Sequence, residues 1–131
     1  MFVDASALCA VLLDEADATH YAQAIRQAGE PITSAVAIFE TVLAAARATD
    51  GDVNAARREV SGYLRLAGVK IIEIGDDELA RALDAFDRYG KGRHPARLNM
   101  GDCFAYACAK TQGAPLLFKG NDFNQTDIAI A

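Results

Sequence analysis

Four acidic residues lie far apart in this chain but at comparable places in its pattern. Asp4 ends a short apolar run, MFVD. Glu40 lies inside VAIFETVLAAA, Asp102 inside LNMGDCFAYACA, and Asp122 inside GND, directly after LLFK. Brought together, four carboxylates repel one another and cannot all ionise without a cation. An all-oxygen set lacking His and Cys suits a hard ion, Mg²⁺ or Mn²⁺, one or two in number. Such sites activate water and steady the charge on a transferring phosphoryl group.

Each acid also has an ordinary reading. Asp4 precedes an apolar helix and suits its N-cap, with Ser6 able to support either role. Glu40 sits on the flank of a helix that is apolar nearly all round, where a carboxylate must be paired, protonated or metal-bound. A salt bridge would serve there as well. Asp102 stands three residues after Asn99, the arrangement of a capping box. Asp122 belongs to Gly-Asn-Asp turn chemistry. What the conjunction adds is position, since two acids end strands and two stand near the starts of largely buried helices.

The elements that must carry these residues alternate in type. Short apolar runs at 1–4, 31–34, 69–74 and 116–118 read as strands, with VKIIEI the clearest. Segments 5–13, 16–28, 35–49, 52–67, 76–89 and 99–112 read as helices, stopped by Gly29, Gly51, Gly68, Gly90 and Gly113. A last strand is expected at 128–130. In the helix at 35–49 the expected buried stripe is Ala35, Ile38, Phe39, Val42, Leu43 and Ala46. Alternation of this kind predicts a mainly parallel sheet in a three-layer α/β/α sandwich, with 1–131 forming one domain. Ligands in such sheets bind beyond the carboxyl ends of the strands. That places the site at Asp4, at Ser34 with the helix after it, and at Gly120–Asp122.

Charge sharpens the picture. The chain is acidic overall, at −5, yet 88–97 reads RYGKGRHPAR with four Lys or Arg and no acid. Lys91, Arg93, His94 and Arg97 are either a solvated loop, with Gly90 and Gly92 favouring mobility, or a phosphate clamp leading RNA towards Asp102. Cys9, Cys103 and Cys108 are odd in number and sit among apolar neighbours, so they read as free thiols and not as a zinc site. No apolar run approaches the roughly 20 residues that span a bilayer, and no basic region precedes an apolar stretch at the start. A cytoplasmic protein is therefore expected, without membrane contact.

At these motifs the chain resembles the PIN-domain ribonucleases, in particular the VapC-type toxins of type II toxin–antitoxin systems. The residues concerned are MFVDASAL, Ala35–Glu40, YGKGRHPARLNMGDCFAYACA and LLFKGNDFNQTDI, and the likeness spans the whole chain. The resemblance implies that Asp4, Glu40, Asp102 and Asp122 form an acidic tetrad for one or two divalent ions. It implies that Ser6 supports Asp4, and that Asn121 and Asp127 stand behind the tetrad. It further implies a metal-dependent endoribonuclease, a homodimer, and a cognate antitoxin covering the active site.

Other classes fit less well. A receiver-type phosphoacceptor domain also has an acidic Mg²⁺ pocket, but it needs adjacent acids after the first strand, and Asp4 is followed by Ala5. A haloacid-dehalogenase phosphatase needs Asp-x-Asp, and position 6 is Ser. A flap nuclease needs room for an arch that this chain lacks.

Overall fold

A computed structural model describes residues 1–131. Four strands form a parallel sheet in the order β3-β2-β1-β4, with β1 at Phe2–Val3, β2 at Ile32–Ser34, β3 at Lys70–Ile72 and β4 at Leu116–Leu117. Phe2 pairs with both Ile32 and Leu116, so β1 lies between partners and is buried on both faces. Successive strand residues point to opposite faces, which divides the core in two. Phe2 and Leu116 pack with α5 (Asp76–Tyr89) and α6 (Met100–Thr111). Val3 and Leu117 pack with α1 (Ala5–Leu12), α2 (Ala18–Gln27), α3 (Ala35–Ala48) and α4 (Val53–Leu66). The result is the expected three-layer sandwich, with helices ending one or two residues inside the expected limits.

Two expectations change. The last strand reduces to a single parallel bridge, Leu116 with Ile130, because Ile130 comes alongside the edge of β4 for one residue only. In α3 the buried face runs through Ala37, Thr41, Val42, Ala45 and Ala46, whereas Ala35 is exposed and Phe39 is 64% exposed. Thr41 can be buried because its hydroxyl donates to the Ala37 carbonyl at 2.7 Å. Burying it rotates the helix so that Phe39 and Glu40 come to its open flank.

The three thiols are unpaired; Cys103 and Cys108 are buried and Cys9 is partly so. No helix is long and apolar enough to cross a membrane.

Candidate active site

Helix starts and strand ends place the four acids. Asp4 follows β1 directly and caps α1: its Oδ2 accepts from the Ser6 backbone N–H at 2.9 Å and from the Ser6 hydroxyl at 2.5 Å. Ser6 Oγ in turn accepts from the Lys119 backbone N–H at 2.9 Å. The exit of β4 is thereby tied to the end of β1 through one hydroxyl. Asp102 and Asn99 form a reciprocal capping box at the start of α6: Asn99 N–H donates to Asp102 Oδ2 at 2.8 Å, and Asp102 N–H donates to Asn99 Oδ1 at 3.0 Å. The ordinary roles expected of Asp4 and Asp102 are thus real, and each occupies only part of its carboxylate. Asp102 Oδ1 accepts no hydrogen bond within the chain.

Glu40 reaches α6 from the second turn of α3. Its carboxylate lies over Gly101, in the space that a Cβ at that position would fill. Glycine in a helix costs about 1 kcal/mol relative to alanine, and here its missing side chain is what lets Glu40 approach. Gly101 is absent from the residues that sequence reasoning selects, although a glycine in a first helical turn beside an acid is a usable signal. Lys119 is absent from them too. Its ammonium pairs with Asp17 at 2.6 Å and with Glu15, clasping the α1–α2 connection to the β4 exit.

The acids feel one another. Asp4, 5% exposed, has its carboxyl held above the usual range, by burial first, against the hydrogen bonds from Ser6, and with a further push from the Asp122 charge. Glu40 is raised by burial and then by Asp4. Asp102 is pushed up to about 7, by burial first and, against the Asn99 hydrogen bond, by the charges of Asp4, Asp122 and Glu40. Asp122 is exposed in the turn after β4, where Gly120 takes the positive φ of 107° that the chain reversal requires.

These residues fit a hard cation. None of the four carboxylates is neutralised by a Lys, Arg or His. All donors are oxygens, and Gly101 leaves the Glu40 oxygens room beside the Asp102 turn. No three of the side chains yet share a common ligand sphere, because Asp4 and Asp102 each turn one oxygen to a backbone cap. Converging on an ion requires only side-chain rotations of the uncommitted oxygens, with the backbone already in place.

The remaining expected residues divide. Asn121 sits beside Asp122, its Oδ1 accepting from Asn124 Nδ2 at 3.0 Å. Asp127 lies elsewhere. Its Oδ1 accepts from Tyr106 at 2.5 Å and from Tyr89 at 3.2 Å, and its Oδ2 stands 3.4 Å from the Lys110 ammonium. It ties the C-terminal segment to α5 and α6 and makes no hydrogen bond to any of the four acids.

The basic loop is braced. Gly90 bridges Leu98, Tyr89 meets His94 edge-on at 5.3 Å, and His94 Nδ1 accepts from Ala96 N–H at 3.1 Å. Arg93 is paired with Asp87 at 2.8 Å. Lys91 and Arg97 have no ion pair, and they share a cleft with Asn99 and Asp122. Spacing in the sequence does not separate these two from Arg93.

Comparison with known proteins bears on this arrangement as a whole. A family model for the PIN domain matches residues 1–129. VapC ribonuclease Mb0640 of Mycobacterium bovis is 43% identical over 129 residues, covering 98% of this chain and 96% of that one. Ribonuclease VapC of Mycolicibacterium smegmatis is 42% identical, covering 98% of each. Among solved structures, Mycobacterium tuberculosis VapC20, described as a sarcin–ricin loop cleaving toxin, superposes with a TM-score of 0.77 at 15% identity, over 99% of this chain and 97% of that one. A toxin–antitoxin complex from Klebsiella pneumoniae gives 0.72 at 17%, over 99% and 95%. The parallel sheet with its carboxylates at the strand ends, the full-length match to the family model and the relatives above 40% identity agree: the chain belongs to the PIN-domain family, among its VapC members.

Proposed function

We propose that this chain is a divalent-metal-dependent endoribonuclease, the toxin of a toxin–antitoxin pair acting in the cytoplasm. The observation that carries the reading is Asp102, whose carboxyl is held at about 7 by burial and by three other acids that approach from separate elements. Such an arrangement is unstable alone and suited to Mg²⁺ or Mn²⁺. When bound, the ion lowers the pKa of a water and draws charge from the phosphate oxygens.

The protein's own groups do the rest. Asp4 and Asp102 supply the most deeply placed oxygens, and their caps fix both carboxylates against rotation of the chain. Ser6 holds Asp4. Glu40 and Asp122 orient the attacking water and complete the ligand set, with Asn121 steadying the Asp122 turn. Lys91 and Arg97 bind the phosphates that flank the scissile bond, and the paired Arg93 and the braced His94 shape the loop that presents them. Asp127 contributes through the fold, by fastening the segment behind Asp122.

Partners follow from surface chemistry. Leu79, Leu83, Phe86, Met100 and Phe104 line an apolar groove between α5 and α6, with Leu83 and Met100 largely exposed. We assign this face to a second copy of the chain, which light scattering checks. A small antitoxin protein would silence the enzyme by covering the carboxylates. Expression without the antitoxin should arrest growth, and Asp4→Asn should relieve the arrest. Harmless overexpression of active protein would oppose the toxin role.

A further inference from the structure

The braced loop and the turn after β4 face each other across a cleft of about 340 Å³, lined chiefly by Lys91, Arg97, Asn99, Asn121, Asp122 and Gln125. It adjoins the proposed active site directly. Asp122 forms part of its wall, and Asn99 is the residue whose N–H is capped by Asp102. A group seated here is therefore next to the scissile phosphate.

The wall is rich in hydrogen-bond donors. Asn99 Oδ1 is engaged by the Asp102 backbone N–H at 3.0 Å, so its NH₂ group is the part left over. Asn121 Oδ1 is engaged by Asn124 at 3.0 Å, with the same consequence. Gln125 is exposed and forms no hydrogen bond with its side chain. Lys91 and Arg97 add cations without ion-pair partners. Asp122 is the one carboxylate in the cleft. The two asparagines are thus oriented before any ligand arrives, which limits the entropy lost on binding.

The loop is held in shape at some cost. Arg97 adopts a left-handed backbone, with φ at 56°, a conformation uncommon outside glycine and asparagine. It is kept there by the Gly90–Leu98 bridge and by donation from Arg97 N–H to the His94 carbonyl at 3.0 Å. Strain of this kind persists where the surroundings over-determine it, and it gathers at ligand clamps.

We infer that this cleft seats one unpaired nucleotide beside the scissile phosphate, and that Asn99 and Asn121 donate to its base, selecting guanine and uracil over adenine and cytosine. The chemistry is that of the base edge. Guanine and uracil present carbonyl oxygens where adenine and cytosine present amino groups. A donor-lined wall accepts the former and leaves an unmatched donor pair against the latter. Reading an unstacked base in this way is how single-stranded RNA is usually discriminated. The inference rests on the ribonuclease reading above and adds the basis of its sequence preference.

The test is cut-site sequencing of a random single-stranded RNA pool digested by the full chain in Mn²⁺. The wild type should show a keto-over-amino preference of roughly tenfold at one nucleotide next to the cut, the discrimination expected of a good base contact. Asn121→Asp replaces the NH₂ donor by an acceptor of equal size in an exposed turn, and should bring that ratio to about one or below. Asn121→Ala should weaken the ratio without reversing it. The ratio is internal to each enzyme, so a change in overall rate from the added charge near Asp122 does not move it. A wild type with no base preference beside the cut, or an Asn121→Asp variant that keeps the ratio, would overturn the inference. A wild type that cuts no RNA at all would bring down the ribonuclease reading, and this inference with it.

Discussion

The Glu40 carboxylate rests against Gly101, in the volume that any other residue's Cβ would occupy. The contact joins α3 to the first turn of α6, one residue before Asp102. Gly101→Ala should therefore push Glu40 away from the other acids. Alanine is a better helix former than glycine, so the fold should be retained. Cleavage should fall by about 100-fold, the cost of displacing a reacting group by roughly 1 Å. Circular dichroism and rate measured on the same preparation check this. An Ala variant of normal activity would show that Glu40 has no part in the chemistry.

The clustered acids should make the metal-free protein sensitive to pH. The Asp102 carboxyl lies at about 7 in the folded chain against 3.8 for the ordinary group. Between these values the folded state holds more protons than the unfolded one, so this stabilisation is complete below 3.8 and is lost as pH rises through about 7. Asp102→Asn should raise the melting temperature in EDTA at pH 7.5 and flatten its fall with pH. Mg²⁺ or Mn²⁺ at roughly ten times its Kd should raise the wild-type melting temperature by about 5 °C, and the variant by less. Indifference of the wild type to both ions would remove the metal from the mechanism.

Much of this site is legible in the amino-acid sequence. The four acids stand at ends of elements, and element type follows from apolar spacing, so their approximate convergence follows from strand–helix alternation. Asn99 and Asp102 announce their capping box by spacing alone. Which neighbours compete for each side chain is not legible there. Thr41 is buried because a helix carbonyl accepts its hydroxyl, and that rotation exposes Phe39. Asp127 lies beside LLFKGND in sequence, yet two tyrosines and a lysine from α5 and α6 claim it. Arg93 looks equivalent to Arg97 until Asp87, six residues earlier, is seen to neutralise it. Each depends on tertiary packing, which period and spacing do not encode.

The same distinction separates the cations in function. Lys91→Ala and Arg97→Ala should each weaken RNA binding and flatten its log–log salt dependence by about 0.7. Arg93→Ala should change the slope little, since Asp87 already holds that charge. Binding is measured on the Asp102→Asn background, so that cleavage does not intervene. Equal slopes for all three variants and their parent would return the loop to a solvated surface.

The most direct measurement is cleavage of single-stranded RNA by the purified full chain in Mn²⁺, in Mg²⁺ and in EDTA, beside Asp4→Asn and Asp102→Asn. The wild type should cut with either or both ions and stop when EDTA is in excess. Both variants should keep the fold and lose cleavage by at least about 100-fold, as expected when a transition-state charge stabiliser is removed. Cutting that continues unchanged in EDTA, or full activity in either well-folded variant, would contradict the assignment of these carboxylates to a metal-dependent active site.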